Sequence, residues 1–328
     1  MIERGELSRA QVEAICRRAF GPEAGLLGLE QFRGGTHNLV YRLSVPGLLP
    51  LILRVAPPAE APLAWDERDL MRREATIRPY FAPLASLMPQ PVFVDFSHEV
   101  IDRDYMLQTF IEGHRWEDAA DQLAPGEALA LWRQFGAILR QIHVVRGEHF
   151  GDPAPGQSFE TWSAAIEHRL ARVAMRLHEA GLEEEKLVQT ALEIVRARRI
   201  LLDEVTTPRL LHGDLWLFNL LVRETAEGAR IVGVLDADRA WWGDPQADWT
   251  MFVLSKLDDP AMDEAQTAFW EGYGKRDESG SAAFRAAVYE ALHIGNALGW
   301  AARERDAGTL ARGRRELPET VARLTEAS

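Results

Sequence analysis

Two neighbouring stretches limit how this chain can fold. Leu210-Leu-His-Gly-Asp-Leu-Trp-Leu-Phe-Asn-Leu-Leu-Val222 and, close behind it, Ile231-Val-Gly-Val-Leu-Asp-Ala-Asp238 each set polar residues between short apolar runs. Runs of roughly 4–8 apolar residues read as buried strands. Polar side chains set between such strands sit on a rigid scaffold, which makes His212, Asp214, Asn219 and Asp236 the candidate functional residues. Asp214 and Asn219 come together when the loop between them curls back, and the next strand ends in a second carboxylate, Asp236.

An amide from Asn219 and a carboxylate from Asp236 are hard oxygen ligands of the kind Mg2+ takes, with water and substrate phosphate completing its shell. Asp214 is then left to accept a proton. Phosphoryl transfer needs this division between metal-held phosphates and a base that orients an attacking hydroxyl.

The order of motifs is His212-x-Asp214-x-x-x-x-Asn219, then Asp236 at a strand end, then Gly243-Asp-Pro-x-x-Asp-Trp249. In this the chain resembles the aminoglycoside phosphotransferase and choline kinase branch of the protein-kinase-like fold. The protein-kinase catalytic loop has the same Asp-to-Asn spacing, with Arg where this chain has Gly213. The resemblance implies an α+β, two-lobed protein-kinase-like fold. A small N-terminal antiparallel sheet lobe, residues 1–110, would cover the nucleotide. A larger, mainly helical C-terminal lobe, residues 111–328, would carry the catalytic loop and a helical acceptor-binding portion. It also implies Mg2+-dependent transfer of the γ-phosphate of ATP or GTP to a hydroxyl-bearing small-molecule acceptor. Asp214 would be the base, and Asn219 and Asp236 the metal ligands. His212 is expected to support the loop through hydrogen bonds.

Nearer the N-terminus, Ser8 to Phe20 reads as a helix opened by a Ser8/Gln11 capping box and ended by Gly21-Pro22. Leu29–Arg33, Leu39–Val45 and Leu51–Val55 read as an antiparallel meander whose first turn is rich in glycine. The resemblance puts a nucleotide-covering loop there, so Gly34, Gly35, Thr36 and Asn38 are expected over the phosphates. Arg54 stands on the third strand where the kinase signature has Lys, a departure that keeps the charge but introduces a planar fork needing more room. Its acidic partner is expected on a helix from Trp65 to Ile77, as Glu74 or, in another register, Glu67. Asp104–Gly113 reads as a β-rich run. The resemblance makes it the connector between lobes, with the backbone of Gln108, Thr109, Phe110 and Ile111 facing the base.

Gly126–His143 carries a broad apolar helical stripe, with His143 as a packing or capping residue. Residues 151–160 read as a loop, and helices are expected over 159–180 and 183–204, where the family builds part of its acceptor pocket. Asp244 and Asp248 read as structural, Asp248 as a cap for amides or a tie back to the catalytic loop. Trp241, Trp242 and Trp249 read as core, although an aromatic near the site can stack on an acceptor ring. Asp259-Pro260 reads as a helix start, and residues 251–280 as an acidic rim for amines or a solvated face. Residues 282–302 read as a packed helix, and the charged stretch beyond Arg303 as a surface helix or frayed tail.

A net charge of −13, from 37 basic and 50 acidic residues, argues against a nucleic-acid partner and permits a cationic acceptor. One cysteine, no secretory signal and no apolar run near the ~20 residues of a membrane span point to the cytoplasm and to no membrane partner. The resemblance suggests an antibiotic as acceptor, aminoglycoside or another natural product. His-Gly-Asp-Leu-Trp also resembles fructosamine kinases, which leaves a metabolite kinase of fructosamine or choline type as the alternative. A catalytically silent nucleotide-binding module, prompted by Arg54, is opposed by Asp214, Asn219 and Asp236 standing together.

Overall fold

The structure, a computed structural model, describes residues 5–32, 37–61, 63–64, 67–153, 156–249, 263–275, 277 and 279–326. Its first helix, α1 (Arg9–Phe20), opens on the reciprocal Ser8/Gln11 capping box and buries Val12, Ile15 and Cys16. These residues pack on a five-stranded antiparallel sheet made of β1 (Gly28–Phe32), β2 (Leu39–Ser44), β3 (Leu51–Val55), β4 (Pro91–Asp95) and β5 (Tyr105–Thr109). Its strand order is β1-β2-β3-β5-β4. Every residue of the central strand β3 is buried, so Arg54 points into protein and not to solvent. Within the β-rich run expected over Asp104–Gly113, the strand covers Tyr105–Thr109, and the Phe110 N–H closes the ladder on the Pro50 carbonyl at 3.3 Å.

The helix expected from Trp65 begins later, as α2 (Leu70–Ile77). Asp69 ahead of it has φ +56°, a left-handed backbone that does not continue into a helix, and the Glu67 carboxylate is bonded to the Ala64 N–H at 2.9 Å. Ile77, Phe81, Leu84 and Met88 then pack into one core with Trp116 of α3 (Trp116–Ala119) and with α4 (Pro125–His143), which buries Leu131, Phe135, Ile138, Leu139 and Ile142 as its stripe requires. Each such side chain contributes about 1.5–3 kcal/mol of transfer free energy.

Two small sheets frame the rest. β6 (His114–Arg115), β10 (Leu220–Thr225) and β11 (Gly228–Val234) form one, in the order β11-β10-β6. β7 (Phe150–Gly151), β8 (Ser158–Phe159), β9 (Arg209–Leu211) and β12 (Trp241–Gly243) form the other, in the order β8-β7-β12-β9. The segment expected to be a plain loop at 151–160 thus closes as a short hairpin. Helices α5 (Trp162–Glu179), α6 (Glu185–Ala197) and α7 (Arg199–Asp203) follow, the last two separated by Arg198 at φ −123° and ψ 32° where one helix was expected. After α8 (Pro245–Trp249) and α9 (Asp263–Tyr273), α10 (Gly280–Glu304) ends on a left-handed Arg305. The last stretch is no frayed tail: α11 (Ala307–Glu326) packs back and buries Leu317, Val321 and Leu324 in the same core as α5 and α10. Among the described residues no helix is long and apolar enough to cross a membrane.

Candidate active site

β9 delivers the chain to His212-Gly-Asp214, and a single buried carboxylate fixes the turn. Asp248 Oδ2 accepts the His212 N–H at 2.6 Å, and Oδ1 accepts the Gly213 N–H at 2.8 Å. His143 Nε2 reaches the same Oδ2 at 3.1 Å, and its Nδ1 meets the Tyr273 hydroxyl at 2.9 Å. This bears out a structural Asp248 and a packed His143. His212 supports the loop through hydrogen bonding, as expected, but by its main-chain N–H, and its ring nitrogens make no hydrogen bond of good geometry. The ring lies fully buried with Phe81 edge-on at 6.0 Å, and burial lowers its pKa against the opposing pull of Asp248 and Asp236. The bonds that support the loop are those of the His212 and Gly213 amides.

Gly213 has φ +78°, and a Cβ there would stand 2.2 Å from the Arg239 carbonyl oxygen. The Arg of the kinase pattern has no room here. Gly213→Ala is expected to cost ~2 kcal/mol or more in stability and at least ~10-fold in turnover, since the strained backbone would shift its neighbour Asp214. Thermal melts and initial rates check this, and an unchanged enzyme would show that the turn relaxes at no cost.

Asn219 follows in a short 3-10 turn, Leu217–Asn219. Its Nδ2 donates to the Asp214 carbonyl at 2.7 Å and to Asp214 Oδ2 at 3.2 Å, which leaves Oδ1 as the amide atom not engaged by Asp214. The Leu235 N–H donates to the Asn219 carbonyl at 2.9 Å, tying the next strand end, and with it Asp236, to the same turn. Asp236 has a left-handed backbone, φ 57° and ψ 55°, and a side chain 47% exposed. Burial, aided by Asp236 and Asp248 and opposed by Arg239 and Asn219, pushes the half-buried Asp214 carboxyl up to about 7.

Arg54 completes the cluster. Its Nη1 donates to Glu74 Oε2 at 2.5 Å, so Glu74 is the partner on α2. Nη2 lies 3.2 Å from Asp236 Oδ1 and 3.7 Å from Asp238 Oδ2. Burial works against the charge of Arg54, yet Glu74, Asp236 and Asp238 outweigh it and hold its pKa above the ordinary value. Glu67 is taken elsewhere: both arms of Arg303, in the last turn of α10, grip its carboxylate, Nη2 at 2.9 Å. Asp152, after β7, accepts from Arg73 of α2 at 3.3 Å and from Arg169 of α5 at 3.2 Å. The Arg169 guanidinium lies 3.6 Å over the Trp241 ring.

Of the residues expected over the nucleotide, Asn38 is buried, while Gly34, Gly35 and Thr36 lie outside the described residues. So do Asp258, Asp259 and Pro260 of the expected acidic rim and helix start. In the connector, Thr109 gives its N–H to the Gln90 carbonyl at 2.9 Å and Phe110 its N–H to Pro50, which removes two of the donors expected to face a base. Asp244 bonds Arg285 Nε at 3.1 Å and the Tyr289 hydroxyl at 2.7 Å, a structural role as expected.

Two features escaped the sequence reading. Asp238 is buried beside Arg54, and burial together with the charges of Asp236 and Glu74 raises its carboxyl above the ordinary range. Trp241, Trp242 and Trp249 are core, and the exposed aromatic near the site is Trp216, whose ring lies 4.4 Å from that of Phe218. The Asp-x-Asp spacing and the position of Trp216 two residues after Asp214 were the available signals.

A family model described as the phosphotransferase enzyme family matches residues 28–286. One relative, the “Probable ketoamine kinase” of Synechocystis sp., is 27% identical over 154 residues, which are 43% of this chain and 47% of that protein. The match therefore spans about half the length of that relative. Among solved structures, aminoglycoside phosphotransferase APH(4)-Ia has a TM-score of 0.68 at 17% identity, covering 96% of this chain and 99% of its own. A thermostable mutant of it, in ternary complex with AMP-PNP and hygromycin B, gives 0.68 at 18% identity over 95% of this chain and 98% of that one. A candidate fructosamine-3-kinase from Thermobifida fusca gives 0.65 at 19% identity over 96% and 98%. These likenesses show a two-lobed, protein-kinase-like fold.

Proposed function

Because the chain belongs to the phosphotransferase enzyme family, we propose that it moves the γ-phosphate of ATP or GTP to a hydroxyl of a small molecule, with Asp214 as base. The observation that carries this reading is the orientation of Asn219. With Nδ2 turned onto Asp214, the amide offers an oxygen, and the half-exposed carboxylate of Asp236 offers another. Two hard oxygen donors fit Mg2+. Bound there, the ion would supply charge neutralisation at the phosphate oxygens.

The chain's own residues do the rest. Asp214, with a pKa near neutrality, accepts the proton of the attacking hydroxyl and orients it. A cation beside Asp236 would remove the Asp236 share of the rise in Asp214, and burial, the larger cause, would stay. Arg54 neutralises phosphate charge and Glu74 holds Arg54 in place. Gly34, Gly35, Thr36 and Asn38 would cover the phosphates from the first turn of residues 1–110. In the connector, the Ile111 N–H, which has no protein acceptor among the described residues, is the donor we assign to the base. Residues 111–328 would carry catalysis and the acceptor. A silent module has no use for a raised Asp214 packed against Asn219, which speaks against that reading.

For the acceptor, an aminoglycoside or another hydroxyl-bearing natural product is the first reading. A glycated amine is the second, favoured by the partial match to a ketoamine kinase and by His-Gly-Asp-Leu-Trp216. A panel of aminoglycosides, macrolides, nucleoside antibiotics and glycated amines, incubated with Mg2+ and ATP or GTP and read by mass for one added phosphate, separates them. One class is expected to gain the phosphate. No product with any of them would favour the silent module.

A further inference from the structure

An Arg at position 54 sets a problem that a Lys would not. An ammonium is a compact charge that one carboxylate can satisfy, whereas a guanidinium is a planar fork with two arms. Glu74 takes Nη1 at 2.5 Å. Nη2 is buried without a hydrogen bond of good geometry and lies between two carboxylates, 3.2 Å from Asp236 and 3.7 Å from Asp238. A buried charged arm needs an acceptor.

The two carboxylates differ in what else they can do. The Asp236 side chain is 47% exposed and can turn to a ligand in the cleft, whereas that of Asp238 is 9% exposed, sealed in the 237–239 turn that packs on α2. Once Asp236 serves a divalent cation, its pull on Nη2 weakens and Asp238 is the anion left for that arm. We propose that Asp238 is a positioning residue: it holds the second arm of Arg54 while Asp236 serves Mg2+, which lets an Arg stand where the kinase pattern has Lys. The proposal rests on the reading of Asp236 as a metal ligand.

The test is calorimetric binding of ADP, in EDTA and in Mg2+, to wild type, Asp238→Asn, Arg54→Lys and the double variant. In EDTA, Asp236 still holds the arm, so Asp238→Asn should leave the ADP Kd within about twofold of wild type. In Mg2+ the same variant should bind ADP about 10-fold more weakly, the scale of a hydrogen bond to a charged group. In the Arg54→Lys background Asp238→Asn should change either Kd by less than about twofold. Equal losses in EDTA and Mg2+ would mean that Asp238 merely supports the fold, and no loss in Mg2+ would mean that it does not hold Arg54. Loss of the Mg2+ effect in both backgrounds would make Asp238 a metal ligand instead. If wild-type ADP affinity ignores Mg2+, the metal reading of Asp236 falls and takes this proposal with it. Should Asp238→Asn fail to fold, Asp238→Ser is read in the same way.

Discussion

Asp214→Asn is expected to lower turnover by about 10³-fold or more while the ADP Kd stays within about threefold. The substitution removes little besides the proton acceptor. Asn has the shape of Asp, and the shorter of the two bonds from Asn219 goes to the Asp214 carbonyl, which the change leaves in place. The loop should therefore stand, and nucleotide binding with it. Initial rates on an accepted substrate and calorimetry with ADP check the two halves separately. Equal turnover would remove Asp214 as the base, whereas loss of both rate and binding would mean that its charge organises the site before any chemistry.

The second large effect is on stability. Asp248→Ala should destabilise the fold by about 3–5 kcal/mol, seen as a fall in Tm of about 5–10 °C or a matching shift of the urea midpoint. Asp248 is 2% exposed and serves the His212 and Gly213 amides and His143 Nε2 at once. Without it, two backbone donors are left buried with no acceptor, at about 1–3 kcal/mol each, and a packed imidazole loses its partner. Asp248→Asn keeps one acceptor oxygen and should fall between. A loss under about 1 kcal/mol would mean that water replaces the carboxylate.

The parts of this fold that could be read from sequence are those whose partners lie a few residues away. The Ser8/Gln11 capping box closes over three residues, and the meander of β1 to β3 joins strands through short turns. Asp214 and Asn219 meet across five positions. Arg54 and Glu74 are twenty apart, and apolar spacing narrowed the choice on that helix to two acids. Glu74, on the apolar face, was the better candidate and is the partner; what sequence could not show is that Glu67 is claimed by Arg303 from the far end of the chain. The same limit hid Asp238: a second acid after Asp236 looks like a solvated turn residue until α2 is seen to cover it. Which part of His212 does the bonding was hidden for a related reason. Polarity alone does not separate ring from main chain; packing against Phe81 seals the ring and leaves the main chain to hold the loop. Trp241, Trp242 and Trp249 read as core in the sequence and are core, whereas nothing in the spacing marks Trp216 as a surface ring. Trp216 is exposed because the turn that brings Asn219 back to Asp214 throws it outward.

The grip of Arg303 on Glu67 bears on what it would take to part the sheet-bearing and helical parts. The sheet-bearing part meets the helical part through the chain leaving Thr109 and through Ile77, Phe81, Leu84 and Met88, which pack against α4, and the Arg303–Glu67 pair fastens the two at another point. A cleft fastened in this way does not widen by rotation about the connector alone, because two opposite charges have to part first. Any such widening then includes a step of charge separation remote from Asp214 and Asn219.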